Sequence, residues 1–263
     1  MTPYLAILSA RFRTLLQYRA AAAAGFGTQL FWGLIRMMIF EAFYRSTAAT
    51  QPMSYEEVVS YVWLGQATLV LMPWNVDREI QAMVRSGTVA YEMLRPLDLY
   101  SLWFVRAVAW RTAPMLLRCI PMFIVAGLFF GLKPPPSWES GSAWIVTTFG
   151  AVLLSAAMTT LLNVSLLWTI SGEGIARLIP ALVVIFSGLV IPLPLFPDWA
   201  QSVLNFLPFR GLMDAPFRVY VGHIPPEQLG AVFAHQIIWT IALVLFGRWI
   251  LSRGARRLVV QGG

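Results

Sequence analysis

The chain is poor in the residues that carry most protein chemistry. Its 263 residues include one cysteine, one lysine and two histidines. A single cysteine, Cys119, builds neither an internal disulfide framework nor a thiolate cage, and its place in an apolar run makes it a small packing residue. His223 and His235 stand twelve apart with no matching acids or cysteines, so no metal site is expected. Hydrolase chemistry needs a nucleophile beside a base, and no such pairing is legible. The one lysine, Lys133, precedes three prolines. No Gly-x-x-x-x-Gly-Lys-Ser/Thr loop for cradling phosphates occurs, so any ATP hydrolysis belongs to another chain.

Charge is also scarce. Only 12% of residues are charged and 58% are hydrophobic, with a mean hydropathy of +0.69. Soluble domains carry roughly 25% charged residues, so an ordinary cytosolic fold is excluded. Eighteen of the nineteen basic residues are arginine. They gather at the ends of apolar runs rather than on a soluble basic face, which excludes a nucleic-acid partner and leaves the lipid bilayer. Internal repeats are not evident, which weighs against transporters built from paired halves.

Six apolar runs are present, at about 20–44, 57–74, 102–131, 142–168, 178–196 and 229–251. Each is near or above the ~20 residues a helix needs to cross hydrocarbon, and lipid leaves helices as the natural spanning structure. The expectation is an all-α integral membrane protein with six transmembrane helices, forming one domain over residues 1–263. Ahead of the first run, Leu5, Leu8, Phe12, Leu15 and Leu16 share one side and Ser9, Arg13 and Gln17 the other. That pattern predicts an amphipathic interfacial helix over 4–18. The late arginines and long apolar run do not fit a cleaved signal, and the segment is read as retained.

Arginine placement sets the orientation. Arg11, Arg13 and Arg19 precede the first run, and Arg248, Arg253, Arg256 and Arg257 close the chain. Both termini are expected in the cytoplasm of a cell whose inner (plasma) membrane holds the protein, and an even number of spans satisfies this. On the outside, Lys133-Pro134-Pro135-Pro136 makes a stiff loop. The string IPLPLFPDW breaks the fifth run, and residues 197–227 are too apolar for an open loop and too interrupted for a span. They are read as short external helices between spans five and six.

Arg36 and Glu41 lie in the first run, and Arg111 and Arg118 in the third. Ionisable groups at depth face a partner or a wet cavity. Two readings stay open: snorkelling or structural ion pairs, with Glu41 meeting an arginine of another span, or a translocation path helped by kinks at Pro114 and Pro121.

The polar interruption at residues 75–98 carries Asp77, Arg78, Glu79, Arg85, Glu92, Arg95 and Asp98 between two apolar runs. Asn75 is expected to cap a short helix, with Asp77 and Glu79 in its first turn. Ile80, Met83 and Val84 make its apolar side, Gly87 its stop, and Pro96 the exit.

Here a resemblance enters. The string MVRSGTVAYEMLRP, from Met83 to Pro96, resembles the cytoplasmic segment between spans two and three of type-2 ATP-binding-cassette (ABC) exporter permeases. Ser187-Gly188-Leu189-Val190-Ile191-Pro192, followed by Phe196-Pro197, Leu207-Pro208-Phe209 and Ala215-Pro216, is similar to that family's broken passage after span five. Within the family, the multidrug or viologen-exporter subgroup looks most similar. The resemblance implies a permease paired with a second copy or sister permease. Each would be bound to a separate ATPase subunit that carries ATP and Mg, with no cofactor in this chain. It implies a coupling role for residues 77–95, through Asp77, Arg78, Glu79, Met83, Arg85, Gly87, Tyr91 and Arg95. Glu173, in the loop at 171–177, would be a second contact. The alternatives are a stand-alone secondary transporter or channel, and an integral membrane enzyme.

Overall fold

The computed structural model describes residues 3–168 and 173–254, and its regular structure there is entirely helical. In chain order the helices are α1 (Pro3–Leu16), α2 (Arg19–Ser46), α3 (Tyr55–Ala67), α4 (Arg78–Arg85), α5 (Val89–Met93), α6 (Leu99–Phe129), α7 (Trp138–Ser165), α8 (Glu173–Phe186), α9 (Asp198–Phe206), α10 (Asp214–Tyr220) and α11 (Leu229–Gly254).

Among the described residues, four helices are long and apolar enough to cross a membrane: α2, α6, α7 and α11. The 28 residues of α7 reach about 42 Å at ~1.5 Å per residue, beyond the ~30 Å hydrocarbon core. Ser137 caps α7 by accepting the Ser140 amide at 3.1 Å, and Asp98 caps α6 by accepting the Ser101 amide at 2.8 Å.

The runs at 57–74 and 178–196 form shorter helices than their apolar lengths predict. α3 has 13 residues and α8 has 14, each about 20 Å long. α3 starts at a reciprocal capping box, in which Ser54 and Glu57 each accept the other's amide. It stops at Thr68, whose hydroxyl donates back to the Leu64 carbonyl at 2.7 Å. A single 3-10 turn at Leu69–Leu71 follows, and then Pro73. α8 stops at Phe186. Gly188 then takes a positive φ of +84°, which glycine adopts without a side-chain clash, and Pro192 and Pro194 prevent the helix from resuming. Hydrophobicity measured how buried these stretches are, not how far they run as helix. Ten of the 13 residues of α3 are buried, all round the helix.

α7 is the central helix. It lies between α6 and α11 and is also covered by α10. Buried Ala151, Ser155, Ala156, Ala157, Thr159 and Thr160 line it, and small residues let neighbouring backbones approach closely. α2 is peripheral, packed on α3 and α6, with Phe31, Trp32, Met38 and Ile39 exposed. α1 packs along α6. Leu8, Phe12, Leu15 and Leu16 are half-buried there and Arg13 is exposed.

Candidate functional site

The polar interruption folds into two short helices at one end of the bundle. Asp77, rather than Asn75, is the N-cap of α4, its carboxylate accepting the Glu79 amide at 2.9 Å and the Ile80 amide at 3.4 Å. Asn75 is exposed instead. The Asp77 backbone amide donates to Asn163 Oδ1 of α7 at 2.9 Å, which seats Asp77 where the first turn begins. α4 ends at Arg85, and Gly87 reverses the chain at φ +73°. Ile80 is fully buried, and Met83 and Val84 pack beside it against a cluster with Leu99, Trp103 and Leu162.

The acids of this segment turn inward. Arg106, buried on α6, places Nη2 2.6 Å from Glu79 Oε2 and 3.2 Å from Asp77 Oδ2, and its Nη1 lies 3.5 Å from Glu92 Oε1. Trp103 Nε1 donates to Glu92 Oε2 at 3.0 Å. Arg11 of α1 grips Glu79 with both guanidinium ends, at 3.0 and 2.5 Å. The Arg11 hydrogen bond foremost, with the charges of Arg11 and Arg106, holds the Glu79 carboxyl below the usual glutamate range against the opposing effect of burial. The segment is thus joined to α1, α6 and α7. Its outward surface carries exposed Arg78, Arg85, Tyr91, Leu94 and Arg95, with Tyr91 71% and Leu94 81% exposed. Glu173 opens α8, but its side chain and residues 169–172 lie outside the described residues.

Arg106, Glu92, Trp103 and Asn163 were not legible as site residues in the sequence. The available signal was Arg106 itself, a third arginine in an apolar run one and a half turns before Arg111.

The charges in the long runs separate into three kinds. Glu41 does not meet an arginine of another helix; it pairs with Arg45 on α2 at 2.6 Å, a partly exposed i,i+4 contact. Arg36 donates to the Leu189 carbonyl at 2.6 Å, in the irregular stretch after α8 where a carbonyl has no helical donor. Arg111, buried, donates to the Val70 and Met72 carbonyls at 2.8 and 2.7 Å and to Thr159 Oγ1 at 2.7 Å. Those carbonyls lie in and just after the 3-10 turn where α3 gives out. Arg118, half-buried, has no hydrogen-bond or carboxylate partner among the described residues.

At the other end of the bundle, fully buried Asp214 accepts from the Tyr61 hydroxyl at 3.0 Å and the Leu193 amide at 3.1 Å, while its own amide donates to the Ser187 carbonyl at 3.0 Å. Arg218 lies 3.5 Å away, one turn along. Burial is the largest effect and raises the Asp214 carboxyl above the ordinary aspartate range, against Arg218. This carboxylate ties α3, the broken passage and α10 together.

A search against family profiles matches residues 30–262 to a family described as "ABC-2 family transporter protein". The chain belongs to the ABC-2 transporter family. It is therefore a multi-pass membrane protein and the membrane component of a transporter, in line with its four long apolar helices. The ABC-2 match runs from within α2 past the described end of α11, so it takes in both the inward-tied segment and the Asp214 cluster. Searches of curated proteins and of solved structures returned no significant match.

Proposed function

We propose that this chain is the permease subunit of an ATP-driven exporter and that residues 75–98 couple it to a separate ATPase carrying ATP and Mg. The observation that carries this reading is the pairing of Arg106 with the acids of α4 and α5. A segment held on α1 and α6 by its carboxylates and on α7 by the Asp77 backbone amide, and presenting arginines and an aromatic ring outward, is suited to receive force and pass it inward. Arg78, Arg85, Tyr91, Leu94 and Arg95 form the docking face. Asp77, Glu79 and Met83 hold the segment to the bundle, and Gly87 allows the turn between the two short helices. Glu173 remains the proposed second contact.

The topology in this reading has six crossings. α3 with its 3-10 extension and α8 with the passage behind it complete the second and fifth. α1 lies in the cytoplasmic interface, both termini are cytoplasmic in the inner membrane, and a second copy or sister permease completes the path. An ATPase that contacts the α4–α5 face differently in its ATP-bound and free states biases the permease between two arrangements by that difference in contact energy. Among the in-span charges, Arg111 and Arg118 are assigned to the path because they line a cavity, whereas Arg36 and Glu41 are engaged by the Leu189 carbonyl and Arg45.

The test is co-expression with a soluble protein that carries a phosphate-binding loop, sought first in the neighbouring reading frames. Arg85→Glu and Gly87→Val are expected to abolish co-purification or to uncouple ATP hydrolysis from export. Unchanged assembly and transport in both variants would overturn the docking assignment.

A further inference from the structure

Two open cavities lie along α6, one beside α4 and the next reaching past the midpoint of α6. One, of about 390 Å³, is lined by Arg11, Leu15, Glu79 and Arg106 among others. The second, of about 320 Å³, is lined by Leu69, Trp74, Arg111, Pro114 and Arg118 among others. Asn75 and Trp110 line both, so the two are stretches of one groove.

The stretches differ in charge. In the first, the carboxylates of Asp77 and Glu79 neutralise Arg11 and Arg106. The second has two arginines in its wall and no carboxylate. Arg111 is fixed by two carbonyls and a hydroxyl, which leave its charge uncompensated and its Nε without a partner. Arg118 lies about one turn past the midpoint of α6 and has no partner among the described residues. An unpaired charge away from water is costly, and a bound anion would remove that cost. The Arg118 guanidinium lies against the bare backbone of α2 at Gly25, where a Cβ would come within 2.5 Å of its Cζ.

The remaining walls are apolar. Trp74, Trp110, Leu69 and Pro114 flank the arginines, and the Arg111 guanidinium lies 5.2 Å from the centre of the Trp110 ring. Partly buried cations beside aromatic and aliphatic walls match a molecule with an anionic head and an apolar body. The volume falls at the small end of the roughly 300–1,000 Å³ range of small-molecule sites, enough for a head group and the start of a chain.

We infer that this groove binds the anionic head of an amphipathic molecule, with Arg118 as its principal contact and Arg111 as a fixed second charge. As a substrate class this rests on the permease reading; as a binding site it stands without it. The same uncompensated positive charge disfavours organic cations, the cargo that the viologen-type resemblance would imply.

The experiment uses the full chain purified in a nonionic detergent, without an ATPase, so its outcome is independent of the coupling assignment. Binding of dodecyl phosphate, dodecyltrimethylammonium and inorganic phosphate is measured by calorimetry and by thermal stabilisation. The expected result is saturable binding of dodecyl phosphate and none of the ammonium probe. Arg118→Gln weakens that binding about tenfold or more, as loss of a charge-assisted contact predicts, and Arg118→Lys restores most of it. Nanodiscs distinguish the source of the head group. If dodecyl phosphate binds less well in phosphatidylglycerol than in phosphatidylcholine, and Arg118→Gln erases the difference, the occupant is a bilayer lipid. Equal binding in the two, still dependent on Arg118, identifies an amphiphile arriving from elsewhere. Equal or tighter binding of the ammonium probe to the unaltered protein overturns the inference whether or not a variant folds. So does inorganic phosphate binding as tightly as dodecyl phosphate, or an Arg118→Gln protein of unchanged stability and unchanged affinity.

Discussion

The guanidinium of Arg106 and the carboxylate of Glu79 meet at 2.6 Å, joining the longest helix of the bundle to the first turn of α4. Glu79 is also held by Arg11 of α1. One carboxylate therefore links a bundle helix, the N-terminal helix α1 and the segment assigned to coupling.

Removing Arg106 should loosen that segment more than it harms the rest of the fold. Arg106→Ala leaves Glu92 and Asp77, both largely buried, without their cation. Breaking such a pair costs about 3–5 kcal/mol when both partners are buried, and about 3 kcal/mol is the expected loss here because Glu79 stays hydrated. Thermal unfolding in detergent measures it. Amide exchange should accelerate within 78–93 before it does in α7, and uniform acceleration would contradict the local role.

The α1–α4 tie should weaken in acid. The Glu79 carboxyl lies below its ordinary range in the folded protein, through Arg11 first. Its contribution is present above the ordinary glutamate value and lost as pH falls through the depressed one. Spin labels on α1 and α4 should report a closed distance at neutral pH and a broadened one once the pH falls well below the ordinary glutamate range. Glu79→Gln should be broad at both, and a distance insensitive to pH and to that substitution would refute the tie.

Asp214 has the opposite sign. Burial raises its carboxyl, so its stabilising contribution is complete below the ordinary aspartate value and declines as pH rises through the raised one. Unfolding midpoints should therefore fall from mildly acidic to neutral pH, and Asp214→Asn should flatten the dependence. Asp214→Ala strands the Tyr61 hydroxyl, the Leu193 amide and Arg218, and is expected to cost about 2–4 kcal/mol. A cost equal to that of Asp214→Asn would show that the acceptor is unimportant.

Gly33 is the contact point of α2 on α3. A Cβ there would strike the ring of Trp63, which is fully buried. Gly33→Ala should destabilise by about 1–3 kcal/mol through overpacking. Gly27, with nothing near it, is the control; Gly27→Ala should not destabilise and gains a few tenths of a kcal/mol, or about 1 kcal/mol at most, from helix propensity.

The six-crossing topology puts Ala82 and Glu139 on opposite sides of the membrane. Both are exposed, and the one native cysteine, Cys119, can be replaced by alanine beforehand. Single cysteines at 82 and 139 should react with an impermeant maleimide from opposite faces. Reaction from the same face would overturn the six-crossing arrangement.

Local chemistry made much of this protein legible in one dimension. The long apolar runs became α2, α6, α7 and α11 because lipid leaves a backbone no other partner, and Gly87 stopped α4 because its φ of +73° is open to glycine. The polar interruption was visible because charge is rare in this chain. The lengths of α3 and α8 were not legible. Both lie in apolar sequence, and burial by neighbouring helices resembles burial by lipid when only hydropathy is read. The cap moved from Asn75 to Asp77 because Asn163, 86 residues away, holds the Asp77 amide. Likewise Tyr61 and Asp214, 153 residues apart, became partners only when α3 and α10 packed together. Composition and periodicity determined that this is a helical membrane protein with a charged element at one face. Tertiary structure alone decided which charges are neutralised and which, like Arg118, have no partner among the described residues, because an ion pair depends on distances that helix packing sets.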